Sequence, residues 1–325
     1  MPIHERDPWR LQYFLDLRVP DDVFIPTDDV DAYAWNPRHR GIYNKLWVAE
    51  SQGLACGPHG VEPHEFPVFS KPIYNLRGMG VGSRVLHDLA EYEAFQSPGH
   101  LWMTLLHGEH VSTDVAVVDG NAAWMRHAVG LARGGGTFDY WTVEAGRRPE
   151  LEEYCGTWIR ENLIGYSGFV NVETIGGRII EAHLRFSDQW PDLYGEGWLD
   201  AMVALYSHGR WNFVERERRT GYSVALFGHH GVPYGQLPDT IAASIRDAPG
   251  VSSLQITFEH TRPPISHTMP PGGFRLAIIN AWDLSAGLRW RRELAQVFDV
   301  VPPDVVWDLQ APFRFGFPPL VDNQG

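Results

Sequence analysis

Cysteine is nearly missing from this chain. Of 325 residues only Cys56 and Cys155 are cysteines. Two thiols make no disulfide framework, and their spacing matches no metal site. That points to a reducing cytosol. No apolar run approaches the ~20 residues that span a bilayer. The first residues, Met1-Pro2-Ile3-His4-Glu5-Arg6-Asp7, lack the basic-then-apolar plan of a signal peptide. A cytoplasmic protein is therefore expected. Positive charge is also scarce: 27 Lys and Arg against 40 Asp and Glu give a net charge of −13. This argues against a broad nucleic-acid or anionic-membrane surface, so any anionic ligand needs a local basic pocket. Internal repeats and low-complexity tracts are absent. So are the Gly-Lys-Ser/Thr ending of a Walker loop and the glycine fingerprint of a dinucleotide site.

What is present reads as an ordinary globular protein, 44% hydrophobic and 21% charged, long enough for two lobes around a cleft. The 13 Trp and 12 Tyr suit stacking on a base or sugar, or simply a core of large residues.

The most informative stretch runs from Gly168 to Phe186. Both of its arms alternate, and Gly176-Gly177 marks a turn, so it reads as a β-hairpin. On the second arm Ile180, Ala182, Leu184 and Phe186 share a face, with Glu181, His183 and Arg185 opposite. On the first arm Val170, Val172 and Thr174 share a face, with Asn171 and Glu173 opposite. Paired residues lie on the same face. A two-residue loop sets Glu173 against Ile180 and mixes the faces. A three-residue loop, Gly176-Gly177-Arg178, sets Glu173 against Glu181 and Asn171 against His183, and is the expected one. Facing carboxylates want a cation between them, and Mg²⁺ is often held by one or two carboxylates plus phosphates. Sheets with one wet face also occur without any ion.

Elsewhere the periodicity predicts irregular structure or short strands in the acidic, Pro-containing residues 1–38. Helices are expected over 39–53 (with Lys45 inside), 83–95, 149–163, 198–206, 238–248 and 284–298. The last should turn Trp290, Leu294, Val297 and Phe298 inward. Cys155 falls on an apolar helical stripe and reads as core. Pro67–Pro72 reads as a strand ending at Lys71. It is followed by Gly78-Met79-Gly80-Val81-Gly82 between Arg77 and Arg84. Such alternate glycines let backbone N–H groups approach a phosphate closely, or mark a flexible connection. Further strands are expected at 101–106, 115–118, 138–143, 222–227, 254–258 and 274–279, with a hairpin turn at Asp119-Gly120. His229, His230, His260 and His267 match no standard zinc spacing and read as loop or core residues.

In order and spacing these features resemble the ATP-grasp superfamily. The carriers are Asn44-Lys45, the Lys71 strand, the glycine loop, the segment Leu105-Leu106-His107-Gly108-Glu109-His110, and Glu173 followed by Glu181-Ala182-His183-Leu184-Arg185. The resemblance covers roughly residues 40–190. It implies an α+β fold in which two α+β lobes with mostly antiparallel sheets clamp a nucleotide, followed by a C-terminal α/β extension. The implied division is a short segment at 1–38 where the family has a larger domain, a nucleotide- and metal-binding core at 39–194, and an extension at 195–325 that completes the core and part of the substrate surface.

The implied cofactors are ATP and Mg²⁺, with Mn²⁺ as the alternative. The implied nucleotide contacts are Lys45, Lys71, Arg77, Gly78, Gly80, Gly82, Leu105 and Leu106. Glu173, Glu181 and His183 are the implied metal ligands; His183 stands where the family often has Asn. Arg185 and His183 are the implied catalytic groups. The implied activity is that of an ATP-dependent carboxylate–amine or –thiol ligase. It would form an acylphosphate from a small-molecule or peptide carboxylate, and a nucleophilic acceptor would then displace phosphate. The loop Thr261–Gly273, with Arg262, His267, Gly272, Gly273 and then Arg275, is the candidate acceptor region. No nucleic-acid or membrane partner is expected, and assembly is open between monomer and homodimer. Two other readings are carried: a non-catalytic nucleotide-binding scaffold of the same fold, and a glycan-binding or glycan-cleaving protein using the facing carboxylates.

Overall fold

The computed structural model describes Glu5 and residues 9–301. It contains two antiparallel sheets. The smaller has the order β1-β4-β2-β3, from Cys56–Pro58 (β1), Val68–Pro72 (β2), Arg84–Leu86 (β3) and His100–Thr104 (β4). The larger has the order β11-β12-β10-β7-β6-β5-β8-β9. Its strands are His110–Val118 (β5), Asn121–Gly134 (β6), Thr137–Val143 (β7), Gly168–Ile175 (β8), Arg178–His183 (β9), Gly221–Gly228 (β10), Val251–Ile256 (β11) and Phe274–Ala281 (β12). β10 pairs with β7, so one sheet continues across residue 194.

Several local expectations give way to capping. Asp28 accepts from the Asp31 amide at 2.8 Å and starts a helix, α1 (Asp29–Trp35), inside a segment that reads as irregular. Asn44 caps α2 (Lys45–Glu50), and Arg40–Tyr43 is a separate 3₁₀ turn, so the helix expected over 39–53 is divided. Lys45 consequently opens a helix. The helix expected from Ser83 is likewise only α3 (Leu89–Ala94), because Asp88 caps it, while Arg84–Leu86 pair with β2 as β3.

The other helices are α4 (Pro149–Asn162), α5 (Trp198–His208), α6 (Asp239–Arg246) and α7 (Leu284–Val297). In α7 Leu294 is buried and Phe298 packs just beyond, but Val297 is 39% exposed, and Arg291 and Ala295 take inward positions instead. Among the described residues no helix is long and apolar enough to cross a membrane.

The two faces of the large sheet carry separate cores, as strand alternation requires. Phe169, Phe186, Trp198 and Met202 belong to one. Val170, Val172, Ala182 and Leu184 pack on the other with Cys155, Trp158 and Ile159 of α4. Phe186 therefore leaves the face of Ala182 and Leu184, since β9 ends at His183. Burial pushes the Cys155 thiol up to about 12, in keeping with a core side chain.

Candidate active site

The hairpin β8–β9 pairs Glu173 with Glu181, Asn171 with His183 and Val172 with Ala182, the register its alternation predicts. The loop differs. Gly176 (φ +56°) and Gly177 (φ +77°) alone turn the chain, and Ile175 pairs with Arg178. A bulge after Glu173 leaves Ile180 as the extra residue. A two-residue turn and a correct face match thus coexist. Ile179 is buried with the α4 core, and Ile180 is turned to the cavity instead of the core face expected for it.

That bulge also positions a lysine. Lys71 of β2 reaches across from the small sheet, and its Nζ donates to the Ile180 carbonyl at 2.6 Å. Burial, and then the neighbouring Lys45, pull its pKa down to about 7, against the partial support of Glu181 and Glu173. Lys45 pairs with Glu181. Burial alone would raise the Glu181 carboxyl, but Lys45, His183 and Lys71 outweigh it and hold that carboxyl well below the usual range.

Glu173, Glu181 and His183 offer ligand atoms within 4.8 Å of one another, the one such group among the described residues. His229, His230, His260 and His267 form no such group. The Glu cluster suits a divalent cation on two grounds. Glu181 Oε2 is buried with no hydrogen-bond partner beyond its pairing with Lys45. His183 Nδ1 lies 3.0 Å from Asp29 Oδ1, a carboxylate–imidazole pairing that leaves the other ring nitrogen for a ligand. An O,O,N donor set is softer than Mg²⁺ prefers.

Two residues of this site carry no assignment from sequence. Asp29 of α1 accepts from Arg185 Nη2 at 2.9 Å and from the Tyr43 hydroxyl at 3.1 Å, besides facing His183. Burial works against its charge, yet Arg185 and then His183 keep the carboxyl well below its ordinary value. Arg185, expected to act on a transferred group, is instead engaged with Asp29 and with the Phe186 carbonyl at 3.1 Å. His110, at the end of the 105–110 segment but given no role, lies 2.9 Å from Glu173 through Nε2.

The cavity beside this cluster lies between the two sheets. Leu105, Leu106 and Gly80 line it, as do Met79 and Ser83 of the same loop. Gly78 and Gly82 belong to that loop but are not among the residues that line the cavity. Arg77 is exposed, away from the wall, its amide donating to Asn75. Arg84 stacks 3.6 Å over Phe95. Of the expected acceptor loop, Pro270 and Pro271, then Arg275, reach the cavity. Arg262 pairs with Glu259, and His267 accepts from the Glu259 amide, both on the exposed side.

No protein-family model and no curated protein matches the sequence. Solved structures match over most of the chain. The L-amino acid ligase of Bacillus licheniformis has a TM-score of 0.60 at 12% identity, over 88% of this chain and 82% of that one. The N5-carboxyaminoimidazole ribonucleotide synthetase of Thermus thermophilus has a TM-score of 0.59 at 14% identity, over 91% and 86%. The carboxyaminoimidazole ribonucleotide synthase of Aspergillus clavatus, complexed with ATP, has a TM-score of 0.58 at 11% identity, over 86% and 82%. The chain has the ATP-grasp fold. It is an α+β architecture of antiparallel sheets, as the sequence resemblance implies.

Proposed function

We propose that this protein is an ATP-dependent ligase that activates a carboxylate as an acylphosphate for attack by an amine or another nucleophile. The observation that carries the reading is the convergence of Lys45, Lys71, Glu173, Glu181 and His183 at one end of a cavity roofed by a glycine loop. Structural likeness to a ligase, a synthetase and a synthase, the last of them complexed with ATP, supports it.

In this reading Leu105 and Leu106 flank the base. Lys45 and Lys71 neutralise phosphate charge, and the backbone around Gly80 closes over it. Lys71, with its lowered pKa, takes up a proton as the polyanion arrives. A divalent cation, when bound, would be held by Glu173, Glu181 and His183 and would supply further neutralisation of the phosphates. A carboxylate oxygen of the substrate attacks the γ-phosphorus and ADP leaves. The acceptor then attacks the acyl carbon, phosphate leaves, and the acceptor gives up its proton. Positioning and charge do most of this work. Asp29 fixes the His183 ring, and Arg185 acts on Asp29 instead of on the phosphoryl group. Arg77 has no part in it.

Calorimetry with ATP and Mg²⁺ or Mn²⁺ tests the proposal. One nucleotide should bind per chain, and Lys71→Ala or Glu181→Ala should weaken it by about 10-fold or more, the scale of a lost charge-assisted contact. Absence of binding with either ion would sink it. The imidazole at His183 also motivates the scaffold reading, which predicts nucleotide binding without ADP release under any acid and acceptor. The close approach of the Glu173 and Glu181 ligand atoms, within 4.8 Å together with His183, speaks against the wider, inverting arrangement of a glycosidase, whose two carboxyl groups stand ~6.5–9.5 Å apart.

A further inference from the structure

We infer that the acid activated here carries an aromatic ring, and that this ring rests on a platform of His110, Phe138 and Trp141 beside Glu173. This rests on the ligase reading and names the class of its acid.

The platform is built by strand register. His110 of β5 pairs with Gly130 of β6, and Gly130 pairs with Trp141 of β7. Two residues further along β6, Ala132 pairs with Phe138. Two steps on β6 thus match three on β7, so β7 carries an extra residue there. Strict alternation would put Phe138 and Trp141 on opposite faces; the bulge returns both to one face. Their ring centroids lie 4.3 Å apart, and Trp190 packs on Trp141 at 5.3 Å and holds it in place. Gly130 makes room for the pair. A Cβ there would fall 2.7 Å from the Phe138 ring and 2.8 Å from the Trp141 ring, so the rings close over a position that only glycine leaves open.

This pair adjoins the acidic cluster. His110 Nε2 lies 2.9 Å from Glu173 Oε2, and its ring stands edge-on to Phe138 at 5.1 Å and to Trp141 at 5.4 Å. All three rings and Glu173 line the same cavity. Trp141 is largely buried, whereas His110 and Phe138 stay partly exposed. An acid whose carboxylate reacts beside Glu173 therefore meets these rings with the group it carries.

The nucleotide base does not need this surface. In the ligase reading it lies at Leu105 and Leu106, in the segment before β5, whereas the ring pair lies on β7, two strands beyond β5 in the sheet. Ala225 and Phe227 of β10, the strand next to β7, continue the apolar wall. Arg275 also lines the cavity, but it is already engaged within the protein, so apolar contact is what this wall has to give. A small hydrated anion such as bicarbonate would lose water to these rings and gain little. An aryl group gains twice: apolar area leaves water, and ring pairs attract beyond their area. The cavity is partly open to solvent, so the platform selects the ring and sets no limit on the rest of the acid.

Hydroxylamine trapping tests this without knowledge of the natural acceptor: hydroxylamine displaces phosphate from an acylphosphate and leaves a hydroxamate. The full chain, ATP and Mn²⁺ are given arylalkanoic acids and straight-chain acids of the same carbon number. The aryl acids should exceed their partners in kcat/KM by about 3- to 10-fold, the scale of one ring–ring contact. Phe138→Leu, which keeps apolar bulk and removes the ring, should narrow that margin. Equal kcat/KM for the two sets, or a preference for straight chains, overturns the inference. Because both sets are compared on the wild-type protein, a misfolded variant does not blunt the test. Calorimetry adds a second reading. Aryl acids should bind protein already saturated with a non-hydrolysable ATP analogue and Mn²⁺. Competition between acid and analogue would put the base on the rings and overturn the inference. Analogue binding without the aryl margin removes this inference alone, whereas absence of analogue binding removes the ligase reading with it.

Discussion

Lys71 is the residue whose environment departs furthest from its sequence appearance. A strand-end lysine before proline reads as a solvated cation. Here it is buried, donates to Ile180 and titrates at about 7. The sign of its effect on stability follows. Between about pH 7 and the ordinary lysine value of about 10.4, the unfolded chain holds a proton that native Lys71 has released. The unfolded state then binds more protons, so native stability rises with pH across that window. Thermal melts of the wild type and Lys71→Met should differ in slope between about pH 7 and pH 10, with the variant flatter; parallel curves would remove the claim that Lys71 is held partly neutral. Asp29 teaches the opposite lesson. Nothing in its own neighbourhood, an acidic run, marks it as part of a site. Only the return of α1 against the end of β9 brings it to His183 and Arg185, and no local pattern encodes that approach.

At the scale of elements, the β8–β9 hairpin is legible because face alternation leaves few registers. The pairing of Glu173 with Glu181 follows from it directly. The loop length does not, since a bulge at Ile180 achieves the same pairing with a shorter turn, and bulges leave little trace in a pattern of apolar residues. Helices run shorter than their apolar spacing suggests wherever a cap intervenes, as at Asp88 and Asn44.

The turn carries its own test. Gly176 and Gly177 both have positive φ, but only Gly176 presses on the chain before β5: a Cβ there would fall well inside contact with the His107 carbonyl oxygen, and one on Gly177 would meet nothing. Gly177→Ala should cost about 1–2 kcal/mol of backbone strain. Gly176→Ala should cost distinctly more and also weaken nucleotide affinity, because it displaces the segment between Leu106 and His110. Equal losses in denaturant melts would refute the close approach.

At the scale of the whole molecule, the two-sheet α+β plan is readable from the order of a few motifs, although no single motif is specific. What escapes is how residues far apart in sequence are brought together. Residues before 39 read as a stub, yet the Tyr13 hydroxyl contacts Ser253 at 2.8 Å, and Gln12 reaches the Leu254 carbonyl at 3.0 Å. Gln12 and Tyr13 thus pack on β11 and β12, and those strands extend the sheet that carries the acidic cluster. The cavity therefore draws its walls from segments more than 200 residues apart in sequence, from Lys45 to Arg275. Such long-range convergence is set by sheet order, which strand patterns do not specify.

The central claim is that Glu173, Glu181 and His183 hold a divalent ion beside a nucleotide. A crystal structure with Mn²⁺ and a non-hydrolysable ATP analogue tests it most directly. The account predicts an anomalous manganese peak among those three side chains, with phosphate oxygens of the analogue beside Lys45 and Lys71. A peak elsewhere, or a nucleotide lying outside the cavity between the two sheets, would contradict it.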